Sequence, residues 1–521
     1  MIGDNHSISA QELQTLASIV DHKTELASPY PPADSLEQRL SQSSTETITG
    51  TSNWRLAGFE SDRAAGTHLS QHLEIDVAQT WLKILQLLGN LPAILFNILP
   101  RYMRPGGLKR SKPLHLTSYL DALRGVAALF VMNFHYKGFG CGNPWLLEQP
   151  FLAVLRSGKG MVNVFFIISG YVLSYKMLKQ IRSRQFIPFL DTLTSVTFRR
   201  FLRLYLTSGF ATFCSMLLMQ TGILVDRVQT RGTIWGALLH WAGDLAHLSD
   251  PFAHVKGWSQ GTNTSVYLSF LWTIPVEFRG SLIVFGFCAG CCKLSTRNRM
   301  VWCSILILAS FYWIALYSAL FLAGLLMADL SFSRHPSRYQ SVPLPAHEIN
   351  IKKHSPYLSR RARISYSILL IISIFLLGQP LHGNKLANYY WPWPILDRVI
   401  PDSYRSSPAG DQFWLSIGAI LLVFALESYP ALQTPFTWDF MQYLGDLSFG
   451  IYVCHGQVLA TLYKRVLTPM RVNYFGSSSW GCAIIAIFTY LAVLWAADLF
   501  TRVDTQLVNL GRWLEKRLFL V

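Results

Sequence analysis

The chain has 521 residues, 51% hydrophobic and 14% charged, with a mean hydropathy of +0.29 and a formal net charge of +16. A water-soluble globular chain carries about 25% charged residues, so this composition suits lipid as its solvent. Lys and Arg gather in short clusters between apolar runs and no basic domain separates off, which argues against a nucleic-acid partner and fits loops beside anionic lipid. Eight cysteines are too few and too scattered for a disulfide framework. Cys288, Cys291 and Cys292 cluster at the end of an apolar run without a further His or Cys at zinc spacing, so no metal is expected.

Residues 1–75 are rich in Ser, Thr, Gln and Glu and show no sustained apolar period, so they read as a disordered cytosolic tail. Met1 to Gly50 has no apolar core, which leaves membrane insertion to internal helices. Residues 76–115 read as an interfacial helix and basic linker. The apolar run Trp81 to Leu99 holds Asn90, Pro92 and Asn97, and Arg101, Arg104, Lys109, Arg110 and Lys112 follow it. Residues 116–505 carry ten segments apolar enough to cross a bilayer: 118–136, 160–177, 198–221, 265–288, 299–313, 315–331, 364–380, 412–428, 443–463 and 480–500. Residues 506–521 form a cytosolic carboxy-terminal segment.

With the amino terminus in the cytosol, the basic clusters at 101–112, 176–203, 293–299, 334–363 and the carboxy terminus all fall on one side. This holds only if 299–331 is a hairpin of two short helices. The loops 137–159, 222–264, 381–411 and 464–479 face the other side, where Asn263-Thr264-Ser265 forms a glycosylation sequon close to the next helix. The expected fold is an all-α polytopic membrane protein, a bundle of about ten transmembrane helices enclosing a polar cavity. Both termini would be cytosolic, in the endoplasmic reticulum or another endomembrane. The absence of an internal repeat disfavours inverted-repeat transporter folds.

Several residues stand out because ionisable groups in a membrane segment are costly and usually face the bundle interior. Arg124 and His135 lie eleven residues apart, three helical turns plus about 20°, so they share one face about 16 Å apart. Ser118 and Asp121 have the spacing of a helix cap, and Asp121 could also neutralise Arg124. Glu277 sits beside Pro275 among Trp272, Phe278 and Phe285, where a carboxylate is desolvated unless a base pairs with it. His455 follows in a late apolar helix. Arg199, Arg200 and Arg203 precede the third span; such clusters set topology, and their guanidinium forks also suit phosphates.

The segments LDALRG with its histidine after ten intervening residues, FFIISGYVLS, RRFLRLY, WTIPVEF and LSFGIYVCH occur in that order between Leu116 and Asp504. Together they resemble the integral membrane acyltransferase family 3, which contains O-acetyltransferases of sugars and antibiotics. The resemblance implies a ten-helix bundle that transfers an acyl group, usually acetyl from acetyl-CoA, to a hydroxyl, with Arg124 and His135 as the functional pair. Phe449 stands where the late motif usually shows a tyrosine, so no role for that hydroxyl carries over.

The resulting expectation is direct transfer. His135 acts as general base on an acceptor alcohol, and Glu277 or His455 orients it. Arg124, too far from His135 to polarise the same carbonyl, serves the CoA phosphates or the pantetheine path with Arg199, Arg200 and Arg203. The aromatic-rich loops, including Tyr389 to Pro394, favour a hydrophobic small-molecule alcohol of terpenoid or polyketide type from secondary metabolism as acceptor. O-acetylation of a glycan or lipid-linked sugar is the alternative. A proton-coupled transporter using His135, Glu277 and His455 as a relay is a third reading.

Overall fold

In lipid the backbone must satisfy its own N–H and C=O groups, which a chain of separate apolar runs can do only as helices. The computed structural model describes residues 98–109, 113–139, 147, 149–224, 232–251, 263–338, 358–379, 391–476 and 478–519. All of them fall within the unit Pro92–Val521. The tail over 1–75 and most of the run Trp81 to Leu99 lie outside the described residues. The long helices are α1 Ser118–His135, α2 Gly158–Arg182, α3 Phe186–Gln220, α4 Ile234–Ser249, α5 Thr273–Gly290, α6 Thr296–Tyr312, α7 Leu316–Arg334, α8 Arg360–Leu377, α9 Phe413–Ser428, α10 Asp439–Val458 and α11 Ser479–Leu518. Among the described residues there is no strand.

Each of the ten apolar segments coincides with one of these helices, and 299–331 is indeed two, turning at Ile314 with φ +60°. The helices α2, α3, α7 and α11, with Ser269–Gly290 and Ala409–Ser428, are long and apolar enough to cross a membrane, and the protein is an all-α polytopic membrane protein. The two helices that carry His135 and His455, α1 and α10, are not among these six. Their polar residues are tolerated because neighbouring helices, not lipid, surround them.

Several stretches expected as loops are helical, among them Trp393–Val399 within 381–411. The 222–264 connection contains α4, capped where the Thr233 hydroxyl accepts from the Gly236 N–H at 3.1 Å. Its His and Asp residues mask the period, but Ala237 and Trp241 pack on Met216 and Met219 of α3, and Trp241 Nε1 donates to Thr212 at 3.0 Å. Beyond Val458, α10 continues as a widened π-type helix over Leu459–Leu467, followed by Thr468–Met470 and a second such turn over Arg471–Phe475. Pro469 supplies no N–H for a regular ladder there. The sequon's Asn263 is buried and its amide donates to the His247 carbonyl at 2.7 Å, so it is no glycan acceptor. Cys482 is disulfide-bonded, while Cys214, Cys288, Cys291, Cys292, Cys303 and Cys454 are free.

Glycines set the two closest crossings. A Cβ on Gly125 of α1 would stand 2.3 Å from the Leu444 carbonyl carbon of α10, and one on Gly445 would stand 2.7 Å from that of Asp121. Gly170 of α2 and Gly324 of α7 meet in the same manner. At one end of the bundle a buried carboxylate ties three helices: Asp329 of α7 accepts from Arg182 of α2 at 2.7 Å and from Arg299 of α6 at 2.8 and 2.9 Å. The 98–109 segment docks through Arg101, which reaches Asp498 of α11 at 2.8 Å and Asp446 of α10 at 3.1 Å.

Gly125→Ala is therefore expected to destabilise the protein by about 1–3 kcal/mol through overpacking. Gly286→Ala, whose added Cβ meets nothing within 4 Å, should leave it unchanged. Thermal unfolding of the two variants in detergent, side by side, checks the contrast.

Candidate active site

Three cavities follow one another along α2. Gly158, Lys159 and Val162 line the first, Val162, Phe165, Phe166 and Ser169 the second, and Leu173 the third. From Gly158 to Leu173 the helix rises roughly 22 Å.

The first cavity, about 270 Å³, belongs to His135. This residue ends α1 with its side chain exposed to the cavity, and its ring lies 5.2 Å from that of His455, centroid to centroid. His455 is fully buried behind it. The His455 Nδ1 is 2.7 Å from the Tyr452 carbonyl, which can only accept, so Nδ1 carries the proton and Nε2 holds a lone pair with no hydrogen-bond partner. Phe270 packs on both imidazoles, at 4.5 Å from His455 and 6.3 Å from His135. The remaining walls are aromatic, from Phe134, Trp272 and Tyr317, with a polar end at Lys159 and Gln412. Both polar groups are held: Lys159 pairs with Asp411 at 2.6 Å, and the Gln412 oxygen accepts from Asn163 at 2.9 Å.

The second cavity, about 330 Å³, holds Arg124, Arg200 and Arg203 with Asp121, Glu277, Asp446 and Asp504. Glu277 is bonded to Arg200 and accepts from the Ser169 hydroxyl, and Arg200 Nε donates to Ser281 at 2.9 Å. Arg124 lies 3.9 Å from Asp121, and its buried Nε has no partner. Asp446 is answered by Arg101 outside the cavity, so cations and anions balance four to four. Val162, Thr273 and Tyr452 line both cavities. The Tyr452 hydroxyl donates to the Phe270 carbonyl, which leaves the Thr273 hydroxyl, 2.6 Å away, to donate to Tyr452. This hydroxyl pair stands between the two chambers.

The site residues expected from sequence thus fall into groups. His135 and His455 are together. Arg124, Arg200, Arg203 and Glu277 share the other chamber, where Arg200 holds Glu277, so of the two residues expected to orient His135 only His455 is in place. Arg199 faces neither chamber; it lines the third cavity and pairs with Glu515 at 3.1 Å. Of the Tyr389 to Pro394 run, Tyr389 and Tyr390 lie outside the described residues, and Trp391 to Pro394 are not among the residues lining the His135 cavity. Trp393 is buried against Phe375 at 5.1 Å, and Trp391 is exposed. Thr273, Tyr452 and Phe270 were not singled out by sequence. Tyr452 could have been, since i and i+3 put it on the helix face of His455.

Residues 117–502 match the family model described as an acyltransferase domain, acyltransferase family 3. The chain belongs to that family. This acyltransferase is 29% identical over 451 residues to O-acetyltransferase PaAT-1 of Phomopsis amygdali, covering 79% of this chain and 86% of that protein. Acyltransferase R4 of a Phoma species is 24% identical over 411 residues, 66% of this chain and 83% of the relative. Acyltransferase clz18 of Cochliobolus lunatus is 22% identical over 464 residues, 77% and 96%. No solved structure matches the acyltransferase chain.

The Arg200 and Glu277 side chains are 10% and 13% exposed, so each leaves a largely buried charge if the other is neutralised. Glu277→Gln in the acyltransferase should cost about 3–5 kcal/mol. Ser281→Ala, which removes one of two Arg200 contacts and leaves the ion pair with Glu277, should cost about 1 kcal/mol. Unfolding temperatures of the two variants in one detergent test the ranking.

Proposed function

We propose that the protein is an O-acetyltransferase that moves acetyl from acetyl-CoA to a hydroxyl of a hydrophobic small molecule. The observation that carries this reading is the unpaired His135 ring in an aromatic chamber, one hydroxyl pair away from a chamber of balanced charge.

The acceptor alcohol occupies the His135 chamber. Its walls of Phe134, Phe270, Trp272 and Tyr317 suit an apolar body, and a volume of about 270 Å³ suits a small molecule better than a polymer. His135 takes the hydroxyl proton as the alcohol oxygen attacks the thioester carbonyl. The C–S bond breaks, the thiolate takes the proton from the imidazolium, and the acetyl ester and CoA leave. Such general base catalysis contributes about 10² to 10⁴ in rate. His455, fixed by its Nδ1–H on the Tyr452 carbonyl, offers its Nε2 lone pair to position the protonated His135. The pantetheine arm, neutral and rich in amides, fits the balanced chamber, where the unpartnered Arg124 Nε can donate to an amide carbonyl.

The name O-acetyltransferase borne by PaAT-1 supports the acetyl group and the hydroxyl acceptor, and the fungal origin of the relatives supports an acceptor from secondary metabolism. The membrane is taken to be the endoplasmic reticulum or another endomembrane, with both termini in the cytosol.

Purified protein incubated with labelled acetyl-CoA and candidate terpenoid or polyketide alcohols should release free CoA and form the ester, whereas a transporter would release none. His135→Ala should reduce turnover at least about 10²-fold without loss of the folded protein. Arg124→Ala should raise the KM for acetyl-CoA, and a pure kcat defect would argue against its contact with the donor.

A further inference from the structure

The family match ends at residue 502, but α11 runs on to Leu518. At 40 residues this helix is roughly 60 Å long, about twice the hydrocarbon thickness, so its last turns stand outside the apolar layer. These turns lie against the arginine run of α3. Arg199 Nε meets Glu515 Oε2 at 3.1 Å, Phe519 packs edge-on against Phe198 at 5.2 Å, and Gly511 leaves room beside Leu202.

Between the two helices lies the third cavity, about 210 Å³, walled by Arg199, Arg200, Arg203 and Arg512 over an apolar floor that includes Leu507 and Val508. Among the described residues no carboxylate lines it. Glu515 stands at its rim, engaged with Arg199. Among the described residues the Arg512 guanidinium makes only a 3.4 Å contact, to Asn509 on its own helix. The neighbouring arginine chamber, by contrast, is balanced by its own acids. Arg200 and Arg203 line both cavities, so the cationic cavity adjoins the path that leads past Thr273 and Tyr452 to His135. Four guanidinium groups on two helices converge there at one end of that path, with Arg199 on Glu515 and Arg200 on Glu277 but Arg512 on no carboxylate, and such a cluster matches phosphates better than any single small anion.

We propose that the carboxy-terminal extension of α11 completes the donor site. Arg512 binds the phosphates of the donor's nucleotide, and Glu515 holds Arg199 until those phosphates displace it. This rests on the reading of acyl-CoA as donor. It places the nucleotide of the donor between α3 and the extension and leaves the arginine chamber to the pantetheine arm.

The test compares acetyl-CoA with acetyl-pantetheine, which has the same thioester and arm without the phosphates, on the full-length protein in detergent. Arg512→Gln should raise the KM for acetyl-CoA about tenfold, the worth of one charge-assisted contact, and leave the KM for acetyl-pantetheine at its wild-type value. Arg512→Lys, which keeps the charge without the fork, should fall between. Glu515→Gln should move the other way and lower the KM for acetyl-CoA by about threefold, because Arg199 is released. An extension that serves only packing would shift both donors alike, or shift both variants in one direction, and either result overturns the proposal. Wild-type protein that turns over neither donor removes the reading of the site and this inference with it. Active wild-type protein with unaltered Arg512 and Glu515 variants removes the inference alone.

Discussion

The constraint on which the site depends is the backbone contact of α1 with α10. Gly125 and Gly445 let the two helices meet without intervening side chains, and everything distal to that contact follows as geometry. Ten residues beyond Gly125 lies His135, and ten beyond Gly445 lies His455, so two rigid helices in close register deliver the two imidazoles to the same depth, 5.2 Å apart. A looser crossing would hold them by loops, and a general base held by loops wanders further than the tolerance of a reacting geometry. Tyr452, one turn before His455, is delivered by the same helix to the partition between the chambers. Backbone packing and chemistry are therefore set by the same pair of glycines.

Charge compensation is the second organising rule. Nearly every buried ionisable group is answered within the protein: Asp329 by Arg182 and Arg299, Glu427 by Arg338, Asp498 by Arg101 and Arg502, Glu277 by Arg200. In a medium that cannot hydrate charge, such pairs are the condition for burying these residues at all, and they add little stability beyond meeting that condition. Against this background an uncompensated cation is informative. Among the described residues Arg512 has no carboxylate partner, and it sits on the donor side of the proposed path.

Much of the architecture was legible because lipid simplifies the code. A run of apolar residues between basic clusters can become only a helix, and counting charges over loops even separated 299–331 into two. The failures have local causes. In α4, His240, Asp244 and His247 interrupt the apolar run, although their helix packs on Met216 and Met219 through one face. After Val458 the helix widens around Pro469, a distortion no simple periodicity reveals. At the site, the pairing of Arg124 and His135 on one face could be read from spacing alone, because both lie on one helix. Glu277 could not be placed: which helix answers a buried carboxylate is a tertiary fact, and it proved to be α3 through Arg200, not α1 through His135. Arg199 and Arg200, adjacent in sequence, point about 100° apart on their helix, so Arg199 reaches the third cavity alone while Arg200 also enters the Glu277 chamber.

That last separation explains how one bundle can manage a long, highly charged donor and an apolar acceptor together. The charges of a nucleotide cannot enter lipid, and an apolar acceptor gains nothing from leaving it. In this molecule α2 spans the difference, with an arginine cavity lined by no described carboxylate at Leu173, a balanced polar chamber at Ser169 and an aromatic chamber at Gly158. Polarity thus falls in steps along one helix. On the proposed reading each step matches a part of the donor, from phosphates through the amide-rich arm to the acetyl group, and only the last of these meets the acceptor. The Thr273 and Tyr452 hydroxyls sit where the final change of polarity occurs. Each is engaged within the protein, Tyr452 on the Phe270 carbonyl and Thr273 on Tyr452, so the partition keeps its shape without depending on either substrate. A thioester that reaches past this pair arrives beside His135 with its charged end still held on the far side of the arginines, which is the arrangement that lets a single histidine serve reactants drawn from two different solvents.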